Sequence, residues 1–214
     1  MKLSILNYCT VMGFGLIFLG YIFTVFDMGF MVNEALSVFV CKILCCAGYG
    51  LLIAGLIKFS RYSQTAKRAL FAFIVQLILH TGDAAVQGLW HFGAADDRLM
   101  AGIMTWLFPL IAAFYALSHI LLFLALRQTA KETECPKVEK RAVSSISLTA
   151  AFCILNIALA LPFSFPDYMT VIRYALFLIV TAANAVALYS AYMWICLDTD
   201  LEKEKTMMAK WNKK

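Results

Sequence analysis

The hydrophobic positions of this chain fall into six long runs separated by short polar connections. The runs cover residues 8–26, 35–57, 69–91, 99–126, 142–163 and 170–196. Each approaches or exceeds the ~20 apolar residues that a helix needs to cross the hydrocarbon core of a bilayer. None alternates with period two, which excludes a closed β-barrel. The pattern therefore predicts an all-α, multi-pass membrane protein: a bundle of six transmembrane helices. Connections of about 7 to 14 residues place neighbouring helices antiparallel and leave no room for a separate soluble domain. The expected organisation is a transmembrane domain over 1–196 and a charged tail over 197–214. Pro162 and Pro166 end the fifth run, Pro136 lies in a connection, and Pro109 falls inside the fourth, where it should kink the helix.

Polar residues interrupt the third run in a regular way. In "QLILHTGDAAVQGLWH", residues 76–91, Gln76, His80, Asp83, Gln87 and His91 follow one another at steps of four, three, four and four. That spacing puts all five on one helical face. An ionisable group inside a bilayer costs a few kcal/mol, so it faces protein or water. Lys42, His119 and Arg173 are the other ionisable residues within the runs. Counting along the spans at about 1.5 Å per residue places Asp83 and Lys42 at matching depth on adjacent helices. An Asp83–Lys42 ion pair is the simplest way to hold both charges, with Arg173 as a second candidate partner for Asp83. His80 and His119 also lie near one another in depth. Asn156 and Asn184 could face the same interior or simply bond across helices.

Composition agrees with the pattern. The chain is 63% hydrophobic and 14% charged, with mean hydropathy +0.81, against 45–50% and about 25% for a soluble domain. Of the 18 basic residues, all but Lys42, Arg98 and Arg173 flank the second connection, flank the fourth, or lie near the two termini. By the positive-inside rule both termini are cytoplasmic, and the net charge of +5 reflects this asymmetry rather than nucleic-acid binding. The first run has no small-residue cleavage site after it and reads as a retained span, not a leader. The seven Cys are scattered, none in an outer connection, and read as buried thiols rather than a disulfide framework. Small-residue ridges at Ala183, Ala187 and Ala191, and at Gly50 and Ala54, predict close helix packing within the chain. The tail is acidic, then basic, and could lie on an anionic leaflet or be solvated.

Two segments resemble known families. "AGYGLLIAGLIKFSRYSQTAKRA", residues 47–69, resembles a family of uncharacterised six-span membrane proteins from Firmicutes, whose second span tends to read "GYxLIxxGLxKLSKYNxxFKKA". Upstream that family has an "LLPDF"-like stretch where this chain has "FVCKILCCA". The resemblance implies a bacterial cytoplasmic membrane and carries no activity. "HTGDAAV" and "FYALSHILLFLAL" are similar to segments of the lysoplasmalogenase-like membrane hydrolases, which have Gly-Asp in one span and His in the next. That likeness implies an acid–base pair of Asp83 and His119, although those proteins usually have eight spans.

Three functions fit these residues. The first is a small-solute transport or membrane-embedded binding component, with Gln76, His80, Asp83 and Gln87 lining a polar path and Lys42 and Arg173 near its outer mouth. Its partners would be the lipid bilayer, a small anionic or zwitterionic solute, and an energising or assembly protein. The second is an intramembrane lipid hydrolase in which Asp83 works with His80 or His119. The third is a non-catalytic assembly, sensing or immunity factor. Whether the chain is an enzyme stays open. No metal set, cofactor motif, phosphate loop or hydrolase elbow is present in the sequence.

Overall fold

The computed structural model describes residues 13–26, 35–94, 96–160, 166 and 168–195. Among them every regular element is helical: α1 (Phe14–Thr24), α2 (Ala35–Phe59), α3 (Gln64–His91), α4 (Asp97–Glu132), α5 (Pro136–Ala160) and α6 (Tyr168–Trp194). Five of these, α2 to α6, are long and apolar enough to cross a membrane, while α1 is apolar but shorter. The tail over 197–214 and the start of the first run lie outside the described residues.

The helices overrun the hydrophobic runs at their polar ends, for example α3 at Gln64 and α5 at Pro136. Apolar content stops at the first charges, but helical hydrogen bonding does not. Local chemistry sets the true boundaries. Ser63 caps α3 by accepting from the Ala66 amide at 3.3 Å, and Asp96 caps α4 by accepting from the Leu99 amide at 2.7 Å. Pro136 occupies the first position of α5, where a missing N–H costs nothing. Pro109 sits inside α4, which continues as one helix through it.

Each helix packs on its neighbour in sequence, and α6 returns to α1, closing a ring. The contacts run antiparallel. Gly13 meets Gly55 and Gly20 meets Gly48 across α1 and α2. Thr65 bonds Gln128 across α3 and α4, and Arg141 bonds Ser190 across α5 and α6. One end of the ring therefore gathers Gly13, Lys58, Lys67, Arg127, Glu139 and Trp194, with the basic connections among them.

The α1–α2 seam depends on four glycines. A Cβ on Gly20 would lie 2.5 Å from the Leu52 amide nitrogen, and one on Gly48 would lie 2.8 Å from the Gly20 carbonyl oxygen. Gly13 also needs its freedom because it opens α1 at φ 75°. The expected ridge at Gly50 and Ala54 does not make this contact. Ala54 is exposed, and a Cβ on Gly50 would meet nothing within 4 Å. Ala187 and Ala191 of the other ridge are fully buried.

The buried residues are mainly apolar, but a polar set is carried inside with them. Gln76 (0%), His80 (1%), Asp83 (3%), His119 (0%) and Asn184 (0%) are inside, while Phe71 (69%), Ile78 (64%) and Trp106 (78%) face outward. Polar side chains withdrawn behind an apolar exterior are the arrangement a bilayer demands, where lipid replaces water as the outer solvent. Among the described residues Cys41, Cys45, Cys46, Cys135 and Cys153 are thiols outside any disulfide.

Candidate functional site

Five helices line a partly open cavity of about 100 Å³. Helix α2 contributes Lys42 and α3 contributes Asp83; Phe108 and Tyr115 come from α4, Phe152 and Asn156 from α5, and Arg173 and Phe177 from α6. Five of the twelve lining residues are aromatic, and Lys42, Asp83 and Arg173 are the charged ones.

Lys42 and Asp83 form an ion pair, with Nζ 2.7 Å from a carboxylate oxygen and side chains 12% and 5% exposed. At that depth each charge needs the other, since an isolated buried ion costs several kcal/mol. Arg173 has its guanidinium 5.1 Å from the centre of the Phe108 ring, a cation–π contact between α6 and α4. The cavity therefore carries a neutralised pair together with a second cation. Asn156 donates to the Phe152 carbonyl at 2.8 Å, and its side-chain oxygen stays available to accept a further bond.

Below the cavity, toward the basic end, lies a polar and aromatic layer. Gln76 Nε2 is 2.9 Å from His80 Nε2 and donates to the Ile111 carbonyl at 3.3 Å. The Ile111 contact fixes the amide orientation, so the second amide hydrogen points at His80 Nε2 and makes that nitrogen the acceptor. The His80 ring stacks on Tyr49, centroids 4.8 Å apart at 24°. His119 Nδ1 lies 2.8 Å from the Tyr115 carbonyl, which can only accept, so Nδ1 carries the proton. The His119 ring is flanked by Tyr115 at 4.0 Å, Phe73 at 5.1 Å and Tyr21 at 5.7 Å.

The stripe read from the third run thus divides by depth. Asp83 lines the cavity with Lys42 and Arg173. Gln76 and His80 lie beneath it, while Gln87 and His91 are only half-buried further along α3. His119 is packed in the aromatic layer and is not among the cavity-lining residues. The aromatic walls, Phe108, Tyr115, Phe152, Tyr174 and Phe177, carried no signal in the sequence, because aromatics occur on lipid-facing and bundle-facing sides alike. Among the described residues no three His, Cys, Asp or Glu side chains gather as a metal-binding group.

Comparison of the chain with protein-family models, with curated proteins and with solved structures gives no match in any of the three. What stands is a multi-pass arrangement of apolar helices around a partly open cavity that carries charged side chains.

Proposed function

We propose that this protein is a membrane-embedded binding component for a small anionic or zwitterionic solute, acting in transport. In this reading six spans cross the cytoplasmic membrane of a bacterium, and both termini and the basic end of the ring face the cytoplasm. One observation carries it: Arg173 and the Lys42–Asp83 pair share a cavity whose other walls are largely aromatic. Polar groups converging in an apolar pocket between helices are what a small-molecule site requires. Two cations and one carboxylate line the cavity, which favours a solute that carries a carboxylate, and the aromatic walls favour one with an apolar body.

Equilibrium dialysis of benzoate and of phenylalanine against the purified full-length protein tests this. At least one should bind, and Arg173→Gln should weaken binding by roughly tenfold or more, since a charge-assisted bond is lost. Absence of binding by both, or equal binding to the variant, would remove the cavity as a solute site.

The lipid-hydrolase reading asks Asp83 and His119 to act on one substrate atom. Asp83 is engaged by Lys42 at the cavity, while His119 is held by Tyr115 in the layer below. Solute binding therefore takes precedence here.

A further inference from the structure

The layer beneath the cavity contains polar atoms that the protein itself does not fully satisfy. Gln76 Oε1 and His119 Nε2 are buried without a hydrogen-bond partner among the described residues, and Thr181 Oγ1 and Asn184 Oδ1 have only the Tyr21 hydroxyl within reach. Their side chains come from α3, α4 and α6. The last three share one neighbourhood: the Tyr21 ring contacts His119, and its hydroxyl lies near Asn184, Thr181 and Tyr115. Left dry, each such atom would cost on the order of 1–3 kcal/mol. A buried water with two to four polar partners removes that cost. Tyr115 belongs both to this layer and to the cavity wall, so the two spaces adjoin.

His119 Nε2 is the atom in this group with chemical capacity. Because Nδ1 donates to the Tyr115 carbonyl, the neutral ring presents Nε2 as a lone pair. We propose that the layer is hydrated from the cavity and that His119 Nε2 takes up a proton in concert with solute binding, making the solute's uptake proton-coupled. This rests on the cavity being a solute site. The step is a proton transfer alone: an O–H bond of hydronium breaks and leaves a water, an Nε2–H bond forms, and release reverses it.

The groups facing this imidazole are distributed over the ring. Tyr21 comes from α1, Tyr49 from α2 stacks on His80, and His80 from α3 lies within electrostatic range of His119. Tyr115 is on α4 itself. Cys153 of α5 interacts with Tyr115, and α6 adds the non-titrating Thr181 and Asn184. The formal charges further out are the Lys42–Asp83 pair and Arg173, across the cavity. A carboxylate bound against Tyr115 would favour the imidazolium, and the imidazolium would favour the carboxylate by the same factor, because linkage is reciprocal. Anion and proton would then move together.

Two measurements on the full-length protein separate this proposal from the reading it rests on. First, histidine-selective 15N NMR in lipid or detergent, with saturating benzoate and without it, is recorded from about pH 8 to about pH 4. Signals are assigned with His80→Gln, His91→Gln and His119→Gln. The His119 Nε2 resonance should show contact with water and move from its unprotonated to its protonated position. A dry, unchanging resonance would overturn the proposal and leave the solute site standing. Second, benzoate affinity is measured over the same range. It should rise about fivefold or more on acidification in wild type and stay flat in His119→Gln. A pH-independent affinity with a titrating Nε2 would refute the coupling. No benzoate binding with a titrating Nε2 would refute the solute site and leave the proton site standing.

Discussion

The Lys42 ammonium and the Asp83 carboxylate are 2.7 Å apart, joining α2 to α3 at the wall of the cavity. Removing one partner strands a charge in a low-dielectric interior, which typically costs about 3–5 kcal/mol, whereas replacing both can be neutral or better. Asp83→Asn and Lys42→Met should each lower thermal stability in detergent by that order. The double variant should return to within about 1 kcal/mol of wild type. Solute binding should not return with stability, because the double variant still alters two cavity walls. A double variant as unstable as the singles would show that the two residues act independently.

The glycine seam makes a sharper geometric prediction. Gly20→Ala would push a methyl to 2.5 Å from the Leu52 nitrogen, and Gly48→Ala would set one 2.8 Å from the Gly20 carbonyl. Backbone on both sides cannot yield cheaply, so α1 must lift from α2, with a loss of about 1–3 kcal/mol. Gly50→Ala, with nothing within 4 Å of its new methyl, should be neutral or slightly stabilising. Melting temperatures and expression yields of the three variants check the contrast.

These two cases show what the sequence could and could not reveal. The ion pair was legible because two charges in apolar spans are conspicuous and a count along each span puts them at one depth. The burial of Gln76, His80 and Asp83 was legible from helical periodicity. The seam was not. Small residues four apart pick out Gly50 and Ala54, which look outward, while Gly13 and Gly20, and Gly48 and Gly55, repeat at seven. Seven residues are nearly two full turns, so that repeat also keeps one face. The cavity walls were hidden for a different reason. Lipid and protein interior are equally apolar, so Phe152 inside and Phe71 outside look the same in the sequence.

At the basic end, Glu139 lies 3.6 Å from Arg127 and 3.4 Å from Lys131, with the three side chains between 31% and 54% exposed. Solvent screens such pairs and side-chain entropy offsets them, so exposed bridges contribute at most about 1 kcal/mol. Glu139→Gln should shift stability by less than that, and the difference should shrink further in high salt. A melting series at low and high ionic strength measures it. A large, salt-independent loss would mean that Glu139 is doing something other than pairing with these two cations.

Gln76 offers the clearest test of the polar layer as structure. It is fully buried, and its amide nitrogen serves both His80 Nε2 and the Ile111 carbonyl. Through those two contacts it ties the middle of α3 to α4 and sets the tautomer of His80. Gln76→Leu keeps much of the volume but removes the donor from both. The His80 lone pair would then lose this donor in a space that Tyr49 closes from one side. Losing the donor to a buried acceptor costs about 1–3 kcal/mol, so the variant should melt lower by that order. Gln76→Glu distinguishes a packing defect from a hydrogen-bond defect. A carboxylate has nearly the same shape, yet it sets an acceptor against the Ile111 carbonyl, so it should be at least as damaging as leucine. If both variants melt like wild type, the α3–α4 contact at this depth is held by the surrounding aromatic rings and not by the glutamine.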